Sequence, residues 1–200
     1  HFNEKGVNLS NGNYSRTDMD LEIYTPAMPF HIKRSYNSLK DHQSMDLILG
    51  PKWTFNFNCQ AKAAGTYRTA ALYELPDRTS EYFSCDNYGN VKPSVTGAKF
   101  IGTESNLENG EGTVVTADQY EFTFYDRRLK EIKDPDGNVT KIGYTNTGST
   151  NRYLISYIDD PQGGRYTFTY QGSGLNSRLT KIVCPDGREA LYTYDQYGGL

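Results

Sequence analysis

Apolar and aromatic residues in this chain recur at every second position far more often than at helical spacing. Phe30, Ile32, Arg34 and Tyr36 alternate with His31, Lys33 and Ser35. Trp53, Phe55 and Phe57 alternate with Thr54, Asn56 and Asn58, and Tyr120, Phe122 and Phe124 alternate with Gln119, Glu121 and Thr123. Side chains leave a strand on opposite faces in turn, so each run predicts a half-buried antiparallel strand with one aromatic face inward. The search for helices comes out nearly empty, because no stretch of a dozen residues keeps the i, i+3, i+4, i+7 spacing without Gly or Pro. Ser10-Asn11-Gly12-Asn13, Asn87-Tyr88-Gly89-Asn90 and Asp136-Gly137-Asn138 predict hairpin turns, since Gly and Asn accept positive φ at little cost. Two polar stretches without periodicity, Lys40 to Asp46 and Gly102 to Gly112, are expected as surface loops.

The chain also repeats itself. Asp134-Pro135-Asp136-Gly137 returns as Asp160-Pro161-Gln162-Gly163 and as Cys184-Pro185-Asp186-Gly187, with the prolines 26 and 24 residues apart. Ile132, Ile158 and Ile182 stand three residues before the proline, and Leu129, Ile155 and Leu179 six before it. Ile142, Phe168 and Tyr192 follow at seven, and Tyr144, Tyr170 and Tyr194 at nine. Each copy therefore reads as a strand, a Pro-Asp-Gly turn and a second strand with an aromatic face. One hairpin cannot bury that face alone, whereas hairpins set side by side bury it continuously. The expected fold is all-β, with antiparallel hairpin repeats forming an extended, curved sheet. Residues 1–118 are expected as an irregular β domain and 119–200 as the repeats, with Tyr194-Asp195 opening a fourth copy as Tyr125-Asp126 precedes the first.

The Tyr-Asp dipeptides, Asp-Pro-Asp-Gly and Tyr192-Thr193-Tyr194-Asp195 resemble the YD repeats of rearrangement-hotspot (RHS) and bacterial wall-associated proteins, and more distantly the teneurins. In order along the amino-terminal half stand Val7-Asn8-Leu9-Ser10-Asn11-Gly12-Asn13-Tyr14, Thr17-Asp18-Met19-Asp20-Leu21, Arg34-Ser35-Tyr36-Asn37-Ser38 and Leu49-Gly50-Pro51-Lys52-Trp53. They resemble the uncharacterised domain (DUF6531-like) that precedes those repeats. The resemblance implies a sheet that coils into a hollow shell around a carboxy-terminal toxin, in a larger secreted or cell-surface protein of the bacterial wall. Nothing here matches the relatives' self-cleaving aspartyl segment. The chain is accordingly expected to be a piece of something longer, without catalysis or cofactor of its own. Its expected partners are the rest of the parent chain with its effector, and wall or surface glycans. Edge-to-edge self-association is expected of a sheet cut in mid-repeat.

Composition narrows this further. With 200 residues, 36% apolar residues and 27 aromatics (17 Tyr, 9 Phe, 1 Trp), the chain is long enough to bury a core and suits pleated surfaces. Twenty-one basic against 24 acidic residues, net charge −3, leave no field for a nucleic-acid backbone. No run approaches the 18 apolar residues of a membrane span, which requires about that number.

Candidate chemistry is sparse. His1, His31 and His42 are the only histidines, and each is assigned a solvated or structural role. Asp18 and Asp20 share a side of an extended segment and leave weak metal binding open, although no metal is expected. Asp134, Pro135, Asp136, Gly137, Tyr144, Asp160, Pro161, Gly163, Tyr170, Pro185, Asp186, Gly187, Tyr194 and Asp195 are assigned to the repeat framework. Tyr67, Tyr73, Tyr88 and Tyr157 fall off the recurrent offsets and are the candidates for an exposed, carbohydrate-contacting surface. Cys59, Cys85 and Cys184 have no basic neighbour in sequence and are expected as small buried hydrophobes.

Overall fold

The computed structural model describes residues 6–23, 30–39, 47–63, 70–76, 79–146, 153–197 and 199–200. His1, His42, the expected loop from Lys40 to Asp46 and Tyr67 lie outside the described residues. β1 (Ser15–Ile23), β2 (Phe30–Asn37) and β3 (Trp53–Phe55) form one three-stranded sheet, and β4 (Ala61–Ala63), β5 (Ala70–Glu74) and β6 (Ser80–Ser84) form another. The third sheet has nine strands in chain order: β7 (Lys99–Ile101), β8 (Gly112–Val115), β9 (Glu121–Tyr125), β10 (Arg128–Lys133), β11 (Val139–Asn146), β12 (Tyr153–Asp159), β13 (Arg165–Gln171), β14 (Arg178–Val183) and β15 (Glu189–Leu191). The fold is all-β and antiparallel, as the alternation predicts.

β9 follows its pattern closely, burying Phe122 and Phe124 between half-buried Glu121 and Thr123. Around β3 the alternation is incomplete, because Thr54 is buried along with Phe55 and Phe57. The stretch from Gly102 to Gly112 departs from the expected loop and holds a one-and-a-half-turn helix, α1 (Glu104–Asn109). Its ends account for it. The Thr103 hydroxyl accepts the Asn106 N–H while the Asn106 side chain accepts the Thr103 N–H at 2.9 Å, a reciprocal cap. Gly110, at φ +67°, closes the other end. Only Leu107 of the helix is buried, so the sequence carries no apolar stripe to announce it.

The chain forms two compact units, one of His1–Asn56, Gly143–Ile158 and Gln162–Leu200, the other of Phe57–Ile142 and Asp159–Pro161. Repetition begins near residue 119 in sequence, whereas the units gather chain from both sides of that point. In the first unit Phe55 meets Phe168, ring centroids 5.7 Å apart, in a core that also holds fully buried Ile32, Ile158, Leu179 and Ile182. The core of the second is aromatic. Tyr73 lies 5.0 Å from Phe124, 5.5 Å from Phe100 and 6.0 Å from Phe83, with Leu107, Val114 and Leu129 fully buried. Tilted and edge-on ring pairs of this kind add about 0.5–1.5 kcal/mol each beyond the area they bury.

Candidate functional site

The repeat unit is the most organised feature of the molecule, and its turn shows why the sequence recurs. Asp134 N–H donates to Asn138 O and Gly137 N–H to Asp134 O, each at 3.0 Å. In the third copy Cys184 N–H donates to Arg188 O at 2.8 Å and Gly187 N–H to Cys184 O at 3.0 Å. Gly137, Gly163 and Gly187 take φ of +87°, +85° and +85°, the left-handed residue that ends a type I turn in a three-residue hairpin loop. Proline fits the position after the first residue, where φ near −65° is required and no N–H is needed.

Asp134 and Asp160 are buried. The Asp134 carboxylate accepts the backbone and side-chain N–H groups of Asn138, both at 2.8 Å. Burial opposes its charge, but these bonds and those from Asp136 and Gly137 outweigh burial and hold its pKa below the usual carboxylate value. Cys184 keeps the backbone bonds of the turn without a carboxylate, and burial pushes its thiol up. All three cysteines are buried thiols outside any disulfide, as expected from their surroundings in sequence.

The buried positions at six and three before the proline are an odd number apart, which a regular strand would send to opposite faces. A bulge resolves this. In β10 the register skips between Leu129 and Glu131, leaving Lys130 as the extra residue, and in β14 Leu179 and Lys181 pair with consecutive residues, leaving Thr180 extra. Both lie five before the proline, so the bulge recurs and turns Leu129 and Ile132, or Leu179 and Ile182, to one face. The odd spacing in the sequence is the signal for it.

Tyrosines nine after the proline belong to the same device. Tyr170 donates its hydroxyl to Ile155 O at 2.9 Å, and Tyr194 donates to Leu179 O at 2.6 Å. Both acceptors stand six before the proline of the same copy. For Leu179 that carbonyl adjoins the bulge, where the ladder is interrupted. Tyr194 also reaches Ile48 O at 3.1 Å, and burial pushes its hydroxyl pKa up.

The same five-residue turn occurs where no proline marks it. Asp86, Ser94, Thr116 and Asp195 each donate their N–H to the carbonyl four residues on. Asp86, Thr116 and Asp195 also accept that residue's N–H on a side-chain oxygen. Asp195 and Asp126 are not equivalent, however. Asp126 and Arg127, at φ +47° and +62°, make the two-residue turn that joins β9 to β10, so the two Tyr-Asp dipeptides sit in different turns.

Of the tyrosines expected on an exposed surface, Tyr73 is overturned. It is 0% exposed, and its hydroxyl donates to Glu111 O at 2.7 Å. It falls in phase with buried Ala71 and Leu75, while Leu72 and Glu74 take the other face, and that phase was readable in the sequence. Tyr157 is half-buried. Its ring lies where a Cβ on Gly143 would stand, 2.1 Å from that position, and the Arg165 guanidinium is 4.0 Å from the ring centroid. Tyr88 is 90% exposed on the Asp86 turn. Tyr67 lies outside the described residues.

The remaining polar cluster joins β1 to the last repeat. Asp20 is the extra residue of a bulge between Met19 and Leu21, and its carboxylate accepts the Tyr192 hydroxyl at 2.8 Å. Arg34 Nε stands 3.5 Å from Asp18 and 3.4 Å from Asp20, with its guanidinium 5.3 Å from the centre of the Trp53 ring. Burial above all pushes the Asp20 carboxyl up, against the pull of Tyr192 and Arg34. The two carboxylates are thus already engaged by an arginine and a phenol, a poor donor set for a cation. His31 is half-buried on β2, its Nδ1 3.8 Å from Glu22.

Residues 4–83 match the model of a family described as a domain of unknown function (DUF6531). That segment carries the four amino-terminal motifs and stops short of the repeats. No curated protein matches the chain. Among the described residues, no helix is long and apolar enough to cross a membrane.

Proposed function

We propose that this chain is a non-catalytic structural module of a large secreted or cell-surface protein of the RHS/YD-repeat kind, in which the repeats build a β-shell that encloses or presents a carboxy-terminal effector. The observation that carries this reading is the use each copy makes of its recurrent residues. The aliphatic and aromatic side chains at three, six and seven positions from the proline are buried, and Tyr170 and Tyr194 bind back to a carbonyl of their own copy. Residues spent on the interior favour a wall over a recognition surface. The partners in this reading are the rest of the parent chain and its effector.

A carbohydrate- or wall-binding adhesion module is the second reading, favoured by Tyr88. This ring stands in solvent beside Asn87 and Asn90, and stacking on a sugar needs such a face. Of the three described candidates it is the exposed one, since Tyr73 is buried and Tyr157 is half-buried against Gly143 and Arg165.

Intact mass and carboxy-terminal sequence of the native protein from its producing cell test the first reading. A chain several times longer, ending in an unrelated domain released by cleavage, supports the shell. A chain ending within a few repeats encloses nothing and sinks it, and glycan binding lost on Tyr88→Ala would then establish the second.

A further inference from the structure

We propose that Asn11 is a site of spontaneous deamidation through a succinimide, a modification that the same dipeptide at Asn109-Gly110 resists. The chain contains Asn-Gly at both places, so sequence alone makes them equivalent. The structure separates them.

Asn11 and Gly12 are exposed in the first turn. The side-chain carbonyl of Asn11 accepts the Asn13 N–H at 3.0 Å, which polarises the amide carbon and places a donor on the oxygen that gathers negative charge during attack. Gly12 sits at φ +71°, and nothing lies within 4 Å of the place a Cβ would occupy, so no packed neighbour resists movement of this residue. One bond, Gly12 N–H to Asn8 O at 2.8 Å, opens to free it.

The step balances with water as the only co-reactant. Gly12 N gives its proton to hydroxide or water, and its electron pair forms a bond to Asn11 Cγ. The Cγ–Nδ2 bond breaks, and the departing nitrogen takes up a proton and leaves as ammonia. Water then opens the five-membered ring at either carbonyl, its oxygen going to carbon and its proton to the ring nitrogen. The products are aspartyl or isoaspartyl, with nothing oxidised or reduced. The isoaspartyl product routes the main chain through one extra methylene. That insertion falls inside the turn closed by Asn8 N–H to Asn13 O, while Asn13 Oδ1 accepts the Ser38 hydroxyl and the Leu39 N–H. Conversion therefore loosens the tie between this turn and the end of β2.

Gly110, by contrast, is buried at the carboxy-terminal cap of α1. Its N–H is directed at Asn106 O and Leu107 O, and a Cβ there would lie 2.6 Å from Arg127 Cγ. Ring closure at Asn109 requires unwinding the last turn of α1 against these neighbours.

The test is site-resolved peptide mass spectrometry, with fragmentation that distinguishes aspartyl from isoaspartyl, on the folded 200-residue chain aged at mildly alkaline pH. Asn11 is expected to convert to both products, faster as pH rises, with Asn109 roughly tenfold slower, as the loss of capping bonds predicts. In denaturant the two rates converge. Equal rates in the folded chain, or conversion at Asn109 with Asn11 intact, overturn the proposal. An Asn11→Gln chain, whose longer amide would need a six-membered ring, keeps its amide; loss at the wild-type rate excludes the succinimide route.

Discussion

Tyr170 and Tyr194 make the same bond, each to the carbonyl fifteen residues earlier in its own copy. The β1–β3 sheet uses polar residues differently. Asn13 holds Ser38 and Leu39, Asn56 accepts the Lys33 N–H and donates to His31 O, and Lys52 donates to Ser38 O, three arrangements that differ from one another. The hairpins are thus built from exchangeable parts, whereas the amino-terminal sheet is specified residue by residue. A substitution in one repeat copy should consequently predict its effect in another, and no such transfer holds across β1–β3.

The strongest test of that contrast lies in the core. Ile158→Ala and Ile182→Ala, at one offset and both fully buried, should each lose about 2–5 kcal/mol in urea unfolding. Similar losses uphold exchangeability, and a loss below about 1 kcal/mol at either breaks it. Next come the tyrosines. Tyr170→Phe should cost about 1 kcal/mol and Tyr194→Phe about 1–3, because the latter hydroxyl serves two carbonyls. If Tyr194→Phe proves neutral, the bond beside the bulge has no energetic role.

A smaller difference separates the turns. Asp134→Ala should lose about 1–2 kcal/mol at neutral pH, from the two bonds to Asn138. Since the folded pKa of Asp134 is depressed, its stabilisation is fully present above the unfolded value, about 3.9, and is lost as pH falls through the folded one. Acid titration of Asp134→Ala should therefore show a shallower loss of stability than wild type, while Cys184→Ala should leave that limb unchanged. Identical acid limbs in wild type and Asp134→Ala would remove the carboxylate from the account. The smallest effect belongs to the exposed Lys181–Glu189 pair, 3.1 Å apart, where Lys181→Ala should change stability by no more than about 0.5 kcal/mol.

How far the sequence reached depended on whether neighbours or distant chain set each feature. The Pro-Asp-Gly turns were legible because their bonds run within five residues. The turns at Ser94 and Thr116 use the same bonds, but no proline at the second position marks them in the sequence. Helix α1 had its caps in plain view at Thr103, Asn106 and Gly110, yet a helix with one buried residue leaves no periodicity to detect. Tyr73 falls off the repeat offsets, and its face is set instead by its phase with Ala71 in its own strand and Leu75 just beyond it.

The sequence by itself determined the antiparallel β class, the three hairpin turns and the buried offsets, since period-two alternation and turn chemistry act over a few residues. Only the tertiary structure decided that Asp20 meets the Tyr192 hydroxyl across 172 positions, that Tyr194 reaches Ile48, and that Tyr157 lies against Gly143 under Arg165. Such pairings depend on which strands the fold sets side by side. Local propensity carries no record of that choice, because the partners acquire their meaning only when burial removes water from both at once.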